Sequence, residues 1–349
     1  MDYIGSKFSL LNFIDDTFNK EVSDLGLKVN NVTDIFAGTS AVGRHFKKKG
    51  YQVIGNDLQY YSYVLGKHYI ENNDKSQLDT DYFDKLNNIE PVQGFIYNNY
   101  AAGSGSGRLY FSDHNAMKID AVRQQIENDY VNGLIDENNY YFYLSSIIES
   151  IDKYSNTASV YGAFLKKLKK TAQKEVIFSP AEIIESDKNN TMLNGDANNI
   201  IKNVRGDVLY LDPPYNSRQY HSNYHLLETI ARYDNPEIRG LTGVRSHDDH
   251  LKSDYSKKRE AEKAFKDLIS NADYPLILMS YNNEGIIPLE NIVSIMEEHG
   301  DYVQYKKEYK KFKSQSTQVN DKVFEYVHVL RKNNIMKIIK NIIDNLLDN

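Results

Sequence analysis

The 349-residue chain has no cysteine, which excludes disulfides and thiolate metal sites and fits a reducing cytoplasm. It also has no tryptophan; its aromatic content rests on 28 tyrosines and 14 phenylalanines. Tyrosine suits cores, interfaces and base stacking alike. No apolar run approaches the length of a membrane span. The start, MDYIGSKFSLLNFIDD, lacks the basic head, apolar core and small-residue cleavage site of a signal peptide. Net positive charge is missing too: 42 Lys and Arg stand against 48 Asp and Glu, a formal charge of −6. That balance argues against a surface that binds nucleic acid everywhere, because phosphate binding draws on Lys and Arg excess. Local excess does exist, in FLKKLKKTAQK (Lys166, Lys167, Lys169, Lys170, Lys174) and QYKKEYKKFK (Lys306, Lys307, Lys310, Lys311, Lys313). Either run alone reads as a solvated face.

What is present begins with an α/β pattern. KVNNVTDIFA ends as a buried strand and runs into the glycine turn GTSAVG; RHFKKKG reads as helix, and YQVIGND repeats the strand-to-acid pattern at Asp57. Strand, turn, helix, strand opens a right-handed βαβ unit. Later, VLYL (208–211), PLILMSY (275–281) and VFEYVHVL (323–330) have the apolar density of sheet-core strands. Between these blocks, residues 91–175 show few strands, a flexible AAGSGSGR loop and the helical patterns IDAVRQQIENDYVNGLI and YYFYLSSIIESI. They read as an insertion, leaving 1–90 and 176–330 as one α/β domain. In the tail, 331–349, Ile335, Ile338, Ile339, Ile342, Ile343 and Leu346 share one face of an amphipathic helix expected to pack on the body.

The glycine turn DIFAGTSAVG matches neither common phosphate motif. Arg44 and His45 stand where a P-loop needs Lys and Ser or Thr, and Thr39-Ser40 breaks the dinucleotide fingerprint. A tight turn remains, with an acid at the end of the next strand that can accept hydrogen bonds from ribose hydroxyls: a nucleoside without pyrophosphate fits. The sharpest feature is VLYLDPPYNSRQYHSNYH (208–225), a strand that stops at Asp212, Pro213, Pro214 and Tyr215.

DPPY after an apolar strand, with FAGTSAVG upstream and YIGSK at the N-terminus, resembles the amino-group DNA methyltransferases. The order YIGSK, FAGTSAVG, insertion, DPPY is similar to the adenine-specific alpha group, and YGAFLKK, DPPYNSRQYHSNYHLLETIARYDNPEI and LILMSYNNEG look like the FokI-type modification methylases. The resemblance implies a Rossmann-like fold that uses S-adenosylmethionine, with the insertion as target-recognition region. It implies N6 methylation of a flipped adenine in double-stranded DNA, within a restriction–modification system that has a cognate endonuclease. By the same resemblance Tyr3, Gly5, Ser6 and Lys7 close over the methionine moiety. Phe36, Ala37, Gly38 and Gly43 form the cofactor turn, Asp57 takes the ribose, and Asp196 and Ala197 lie near the cofactor's adenine.

The chemistry supports this reading. The N6 lone pair of adenine is delocalised into the ring, so the amine must be held with that lone pair aimed at the methyl donor. Asp212 can accept one N–H and the Pro213 carbonyl the other, while both prolines restrict the backbone that presents them. Tyr215 offers a flat ring to an extruded base. N4-cytosine methylation uses the same chemistry, and Asp rather than Ser at 212 favours adenine. RNA adenine or protein glutamine as substrate, and a catalytically silent DNA-binding subunit, stay open on the residues alone.

His221 and His225 have the i, i+4 spacing of a zinc pair, but Ser222 stands where a zincin carries glutamate. They are assigned instead to the base pocket, with Tyr220, His221 and Tyr224 expected to contact DNA, and no metal is expected. SHDDH (246–250) reads as a surface loop. Arg108, Arg123, Lys166, Lys167, Arg218, Arg239 and Arg245 are the expected DNA contacts, mostly to phosphate.

Overall fold

The computed structural model describes residues 7–158, 160–246, 249–309 and 323–332. Its centre is a seven-stranded sheet. The strands are β1 (Asn31–Asp34), β2 (Gln52–Asp57), β3 (Thr191–Asn194), β4 (Val208–Leu211), β7 (Leu276–Asn282), β8 (Gly300–Tyr309) and β9 (Val323–Lys332); β5 (Ile238–Arg239) and β6 (Val244–Arg245) form a separate hairpin. Across the sheet the order is β3-β2-β1-β4-β7-β9-β8. β1, β2, β3, β4 and β7 run parallel, and β9 is antiparallel to both β7 and β8. This is the expected Rossmann-like arrangement, with its antiparallel element near the C-terminus.

Both faces of the central strands are covered, which is why they read as unbroken apolar runs. Val208, Tyr210, Leu276 and Leu278 face Ile14 and Phe18 of the N-terminal helix Leu11–Leu25. Leu209, Leu211, Ile277 and Met279 face Phe265, Leu268 and Ile292 on the other side. The helices expected in the insertion form as Asp113–Val131 and Glu137–Tyr154, each opened by a side-chain cap, Ser112 and Asp136. They share one core with the helices Tyr60–Gly66 and His225–Arg232, through Tyr61, Val64, Ile119, Ile147, Leu226 and Ile230. These helices are thereby continuous with the wall beside the DPPY segment.

QYKK, read as part of a solvated basic run, lies in β8, an edge strand whose Lys306 and Lys307 are exposed in agreement with that reading; Lys310, Lys311 and Lys313 lie outside the described residues. One element differs from expectation. Arg331 and Lys332, read as the start of the C-terminal helix, end β9 instead; the remainder of that helix lies outside the described residues.

Candidate active site

The strand order reverses between β1 and β4, and in open α/β sheets such a switch point leaves a crevice at the carboxyl ends of the strands. Here each neighbouring strand delivers a carboxylate to that edge: Asp34 ends β1, Asp57 ends β2 and Asp212 follows β4. A cleft of about 740 Å³ lies among them, lined also by Lys7, Phe36, Ala37, Gly38, Leu58, Gln59, Tyr210, Pro214, Gln219, Tyr220 and Ser253.

The turn after β1 is built for close approach. Gly38 has φ of 53°, in the left-handed region that glycine tolerates. Its N–H donates to Asp57 Oδ2 at 2.7 Å, and the Gln59 N–H donates to Oδ1 at 2.9 Å. Burial raises the Asp57 carboxyl to about 6 against these donors. Asp34 is pushed up to about 8, by burial first and then by Asp212 and Asp57, and its buried Oδ1 has no hydrogen-bond partner. Burial and like-charge crowding hold Asp34 protonated near neutral pH, a strain that a positive ligand relieves, so the cleft is suited to a cation.

Asp212 sits where β4 gives way to the two prolines. Its Oδ1 pairs with Lys7 Nζ at 3.0 Å, and the same ammonium reaches Glu325 Oε1 at 3.2 Å. Burial raises the Asp212 carboxyl to about 6, Lys7 opposes that rise, and Glu325 adds to it. Burial alone would lower Lys7, but the carboxylates of Asp212 and Glu325 hold it well above the ordinary lysine value. The Lys7 ammonium also lies 5.6 Å from the centre of the Tyr215 ring. Gln219 and Ser253 exchange two hydrogen bonds, Nε2 to carbonyl at 3.0 Å and N–H to Oε1 at 2.9 Å, which fasten the segment after the DPPY wall.

Of the sequence-predicted residues, the fold brings Lys7, Phe36, Ala37, Gly38, Asp57, Asp212, Pro214 and Tyr220 to the cleft. Pro213 is buried beneath it, and Tyr215 packs partly against the neighbouring core. Gly43 is placed by packing: a Cβ there would stand 2.8 Å from Ile70 Cδ1. Asp196 caps the short helix Ala197–Ile200 through the N–H groups of Asn198 and Asn199, while Ala197 is a core residue; neither lines the cleft. Tyr3, Gly5 and Ser6 lie outside the described residues.

The expected DNA contacts divide sharply. Lys166, Lys167, Arg218 and Arg239 are exposed. Arg108 braces the β5–β6 hairpin, donating to the carbonyls of Gly240 and Leu241 at 3.0 and 3.2 Å. Arg245 is buried in a fork-to-fork pair with Asp234, both contacts 2.7 Å. Arg123 and Tyr224, expected to meet DNA, are core residues with no exposed surface. Arg123 Nε donates to Ile230 O at 2.8 Å, where the end of a helix leaves carbonyls without intrahelical partners. The two histidines also point inward. His225 Nε2 contacts the Tyr161 carbonyl oxygen at 2.9 Å, and burial lowers it to about 4; His221 Nε2 meets Ser222 Oγ at 3.0 Å. Among the described residues no cluster of three or more His, Cys, Asp or Glu could hold a metal.

Sequence reasoning missed Asp34, Gln59, Tyr210, Gln219, Ser253 and Glu325. Asp34 had a signal, since TDIFAG repeats the strand-to-acid pattern that singled out Asp57. Glu325 had none, because its partner stands at the other end of the chain.

Residues 3–295 match the family model of D12 class N6 adenine-specific DNA methyltransferases. Type II methyltransferase M.NlaIII of Neisseria lactamica is 45% identical over 95% of this chain and 99% of that protein. M.CviAII of Paramecium bursaria Chlorella virus 1, also named a type II methyltransferase, is 33% identical over 93% and 96%. Type II methyltransferase M.FokI of Planomicrobium okeanokoites is 39% identical over 95% of this chain but only 53% of its own length. A strand-end carboxylate beside two prolines, at the switch point of such a sheet, agrees with what these matches establish: the chain belongs to the D12 class of N6 adenine-specific DNA methyltransferases.

Proposed function

We propose that the chain methylates the N6 amine of an adenine in double-stranded DNA, with S-adenosylmethionine as donor, as the modification enzyme of a restriction–modification system with a cognate endonuclease. The observation that carries the site assignment is Asp212, held by Lys7 at the rim of a cleft that also bears Asp34 and Asp57. The carboxylates of Asp57 and Asp212 outnumber the single lysine lining the cleft, and the carboxyl of Asp34 adds a third acidic group, so the cleft suits a ligand with a positive centre. S-adenosylmethionine supplies an electrophilic methyl on a sulfonium. Asp57, already fixed by two backbone N–H groups, would hold the ribose, and Phe36 and Leu58 would enclose the nucleoside.

Asp212 orients the amine. A carboxylate offers about four acceptor sites, so the Lys7 contact leaves capacity for an N6–H. The Pro213 carbonyl takes the second N–H, and together they direct the nitrogen lone pair at the donor. Tyr215 and Tyr220 would stack the extruded base. Lys166, Lys167, Arg218 and Arg239 would meet phosphates, positioning the duplex without reading it.

The test is transfer of labelled methyl to mixed DNA, RNA and protein, followed by digestion and identification of the product. N6-methyladenine from duplex DNA is expected, and its loss in Asp212→Ala with cofactor binding retained. Label in RNA or protein alone, or an active Asp212→Ala variant, would overturn the assignment.

A further inference from the structure

Glu325 is buried yet does not line the cleft, and the amine-orienting step gives it no task. Alternate residues of a strand share a face. On β9, Val327 and Val329 pack with Leu10, Ile14 and Phe18 of the N-terminal segment, and Glu325 and Arg331 have the same parity at either end of that stripe. Both ends are pinned. Arg331 Nε pairs with the buried Glu21 at 2.7 Å, and Glu325 Oε1 with Lys7 Nζ at 3.2 Å. The spacing agrees: six strand residues span about 20 Å and fourteen helical residues about 21 Å. The N-terminal segment is thus laid in register along β9, and this register delivers Lys7 to Asp212.

Among the described residues, these charged or titratable groups stand around Asp212. Lys7 comes from the N-terminal segment, Glu325 from β9, Asp34 from β1, Tyr210 from β4, and Tyr215 and Tyr220 from the segment after β4. Lys7 is the cation among them. Paired with Asp212 alone, it would neutralise that carboxylate and compete for its lone pairs. Divided between two carboxylates at 3.0 and 3.2 Å, it holds Asp212 in place while neutralising it only in part.

We propose that Glu325 is a positioning residue of the methyl-transfer site: by sharing the Lys7 ammonium it keeps Asp212 a strong acceptor for the adenine N6–H. This rests on the assignment of Asp212 as the group that orients the amine. Glu325→Gln removes a negative charge that raises the Asp212 carboxyl and gives Lys7 wholly to Asp212, so both effects act in one direction. The acid limb of kcat is expected to move down by about half a pH unit, and the plateau to fall roughly 5- to 20-fold as the carboxylate becomes a weaker acceptor. Cofactor affinity by calorimetry stays within about twofold, because Glu325 does not line the cleft.

A residue that merely anchored the helix would lower the thermal midpoint without moving the limb downward. Wild-type kcat with an unmoved limb, or a limb displaced upward, would overturn the proposal. Should Glu325→Gln not fold, Glu325→Asp replaces it: it withdraws the carboxylate by one methylene and is expected to shift the limb the same way by less, and an unmoved limb is again the refuting result. Asp212→Ala run alongside separates the two failures. If it stays active, the site assignment is wrong; if it is inactive while Glu325→Gln behaves as wild type, only the role of Glu325 is.

Discussion

Arg123→Met separates two accounts of one arginine. Arg123 sits in the helix Asp113–Val131, where a basic residue invited the expectation of a DNA contact, but its guanidinium is buried. Nε donates to Ile230 O at 2.8 Å, Nη2 reaches Ala231 O at 3.4 Å and Glu127 Oε2 at 3.2 Å, and the Tyr233 ring centre lies 5.4 Å away. Methionine preserves most of the stem volume, so the cavity cost is small. What is lost is a charged donor to the end of the helix His225–Arg232, leaving the Ile230 carbonyl unpaired in the core. A hydrogen bond to a charged group contributes about 1.5–3 kcal/mol, which puts the loss near 2–3 kcal/mol. With an unfolding entropy of about 2.1 cal/mol/K per residue, 349 residues give roughly 0.7 kcal/mol/K, so Tm should fall by about 3–4 °C. Calorimetry reads that shift, and DNA titrations at several salt concentrations read the other account. One lost phosphate contact would lower the slope of log K against log salt by about 0.9; none is expected. An unchanged Tm with a slope lowered by about one would refute the reasoning.

Asp212→Asn keeps a carbonyl acceptor but loses the charge, and kcat should fall about 10²- to 10³-fold with cofactor affinity nearly unchanged; single-turnover kinetics beside calorimetry check the pair. Because Asp212 is raised to about 6, the wild-type rate should drop roughly tenfold per unit on the acid side of that value, since the protonated acid has lost the charge that makes it a strong acceptor for the N6–H. A flat profile from pH 5 to 7 would contradict this. Asp34 is raised to about 8, so the folded protein binds its proton more tightly than the unfolded chain and loses stability as pH rises from about 4 to 8. Asp34→Asn removes that loss, and its stability relative to wild type, measured in denaturant without cofactor, should increase over the same window. Gly38→Ala forces a side chain into a left-handed turn at a cost of about 1–2 kcal/mol and should weaken cofactor binding more than it lowers the plateau rate.

Much of the fold was legible because the central strands are covered on both faces. VLYL and LILMSY can be read as strands without knowing their partners, and the glycine turn with Asp57 marks the βαβ opening. β3 escaped notice because a four-residue strand at the sheet edge leaves little pattern, and β8 because the lysines of an exposed edge mask its alternation. The site divided in the same way. Asp212, Pro213, Pro214 and Tyr215 are consecutive, so their shared chemistry shows in one short stretch. For arginine and histidine, residue type was a poor guide: Arg123, Arg245 and His225 look like ligand-binding groups in the sequence and are consumed by internal partners.

The sequence by itself determined Asp57 and Asp212 as strand-end carboxylates and the tight turn, because each is encoded in a few adjacent residues, and the order of these motifs carried the resemblance that implied the class of reaction. Tertiary structure alone decided which cations stay at the surface, and it alone assembled Lys7, Asp212 and Glu325. Those three residues lie far apart along the chain, and only the register of the N-terminal segment on β9 brings their charges within 3.0–3.2 Å, where burial makes their interaction strong.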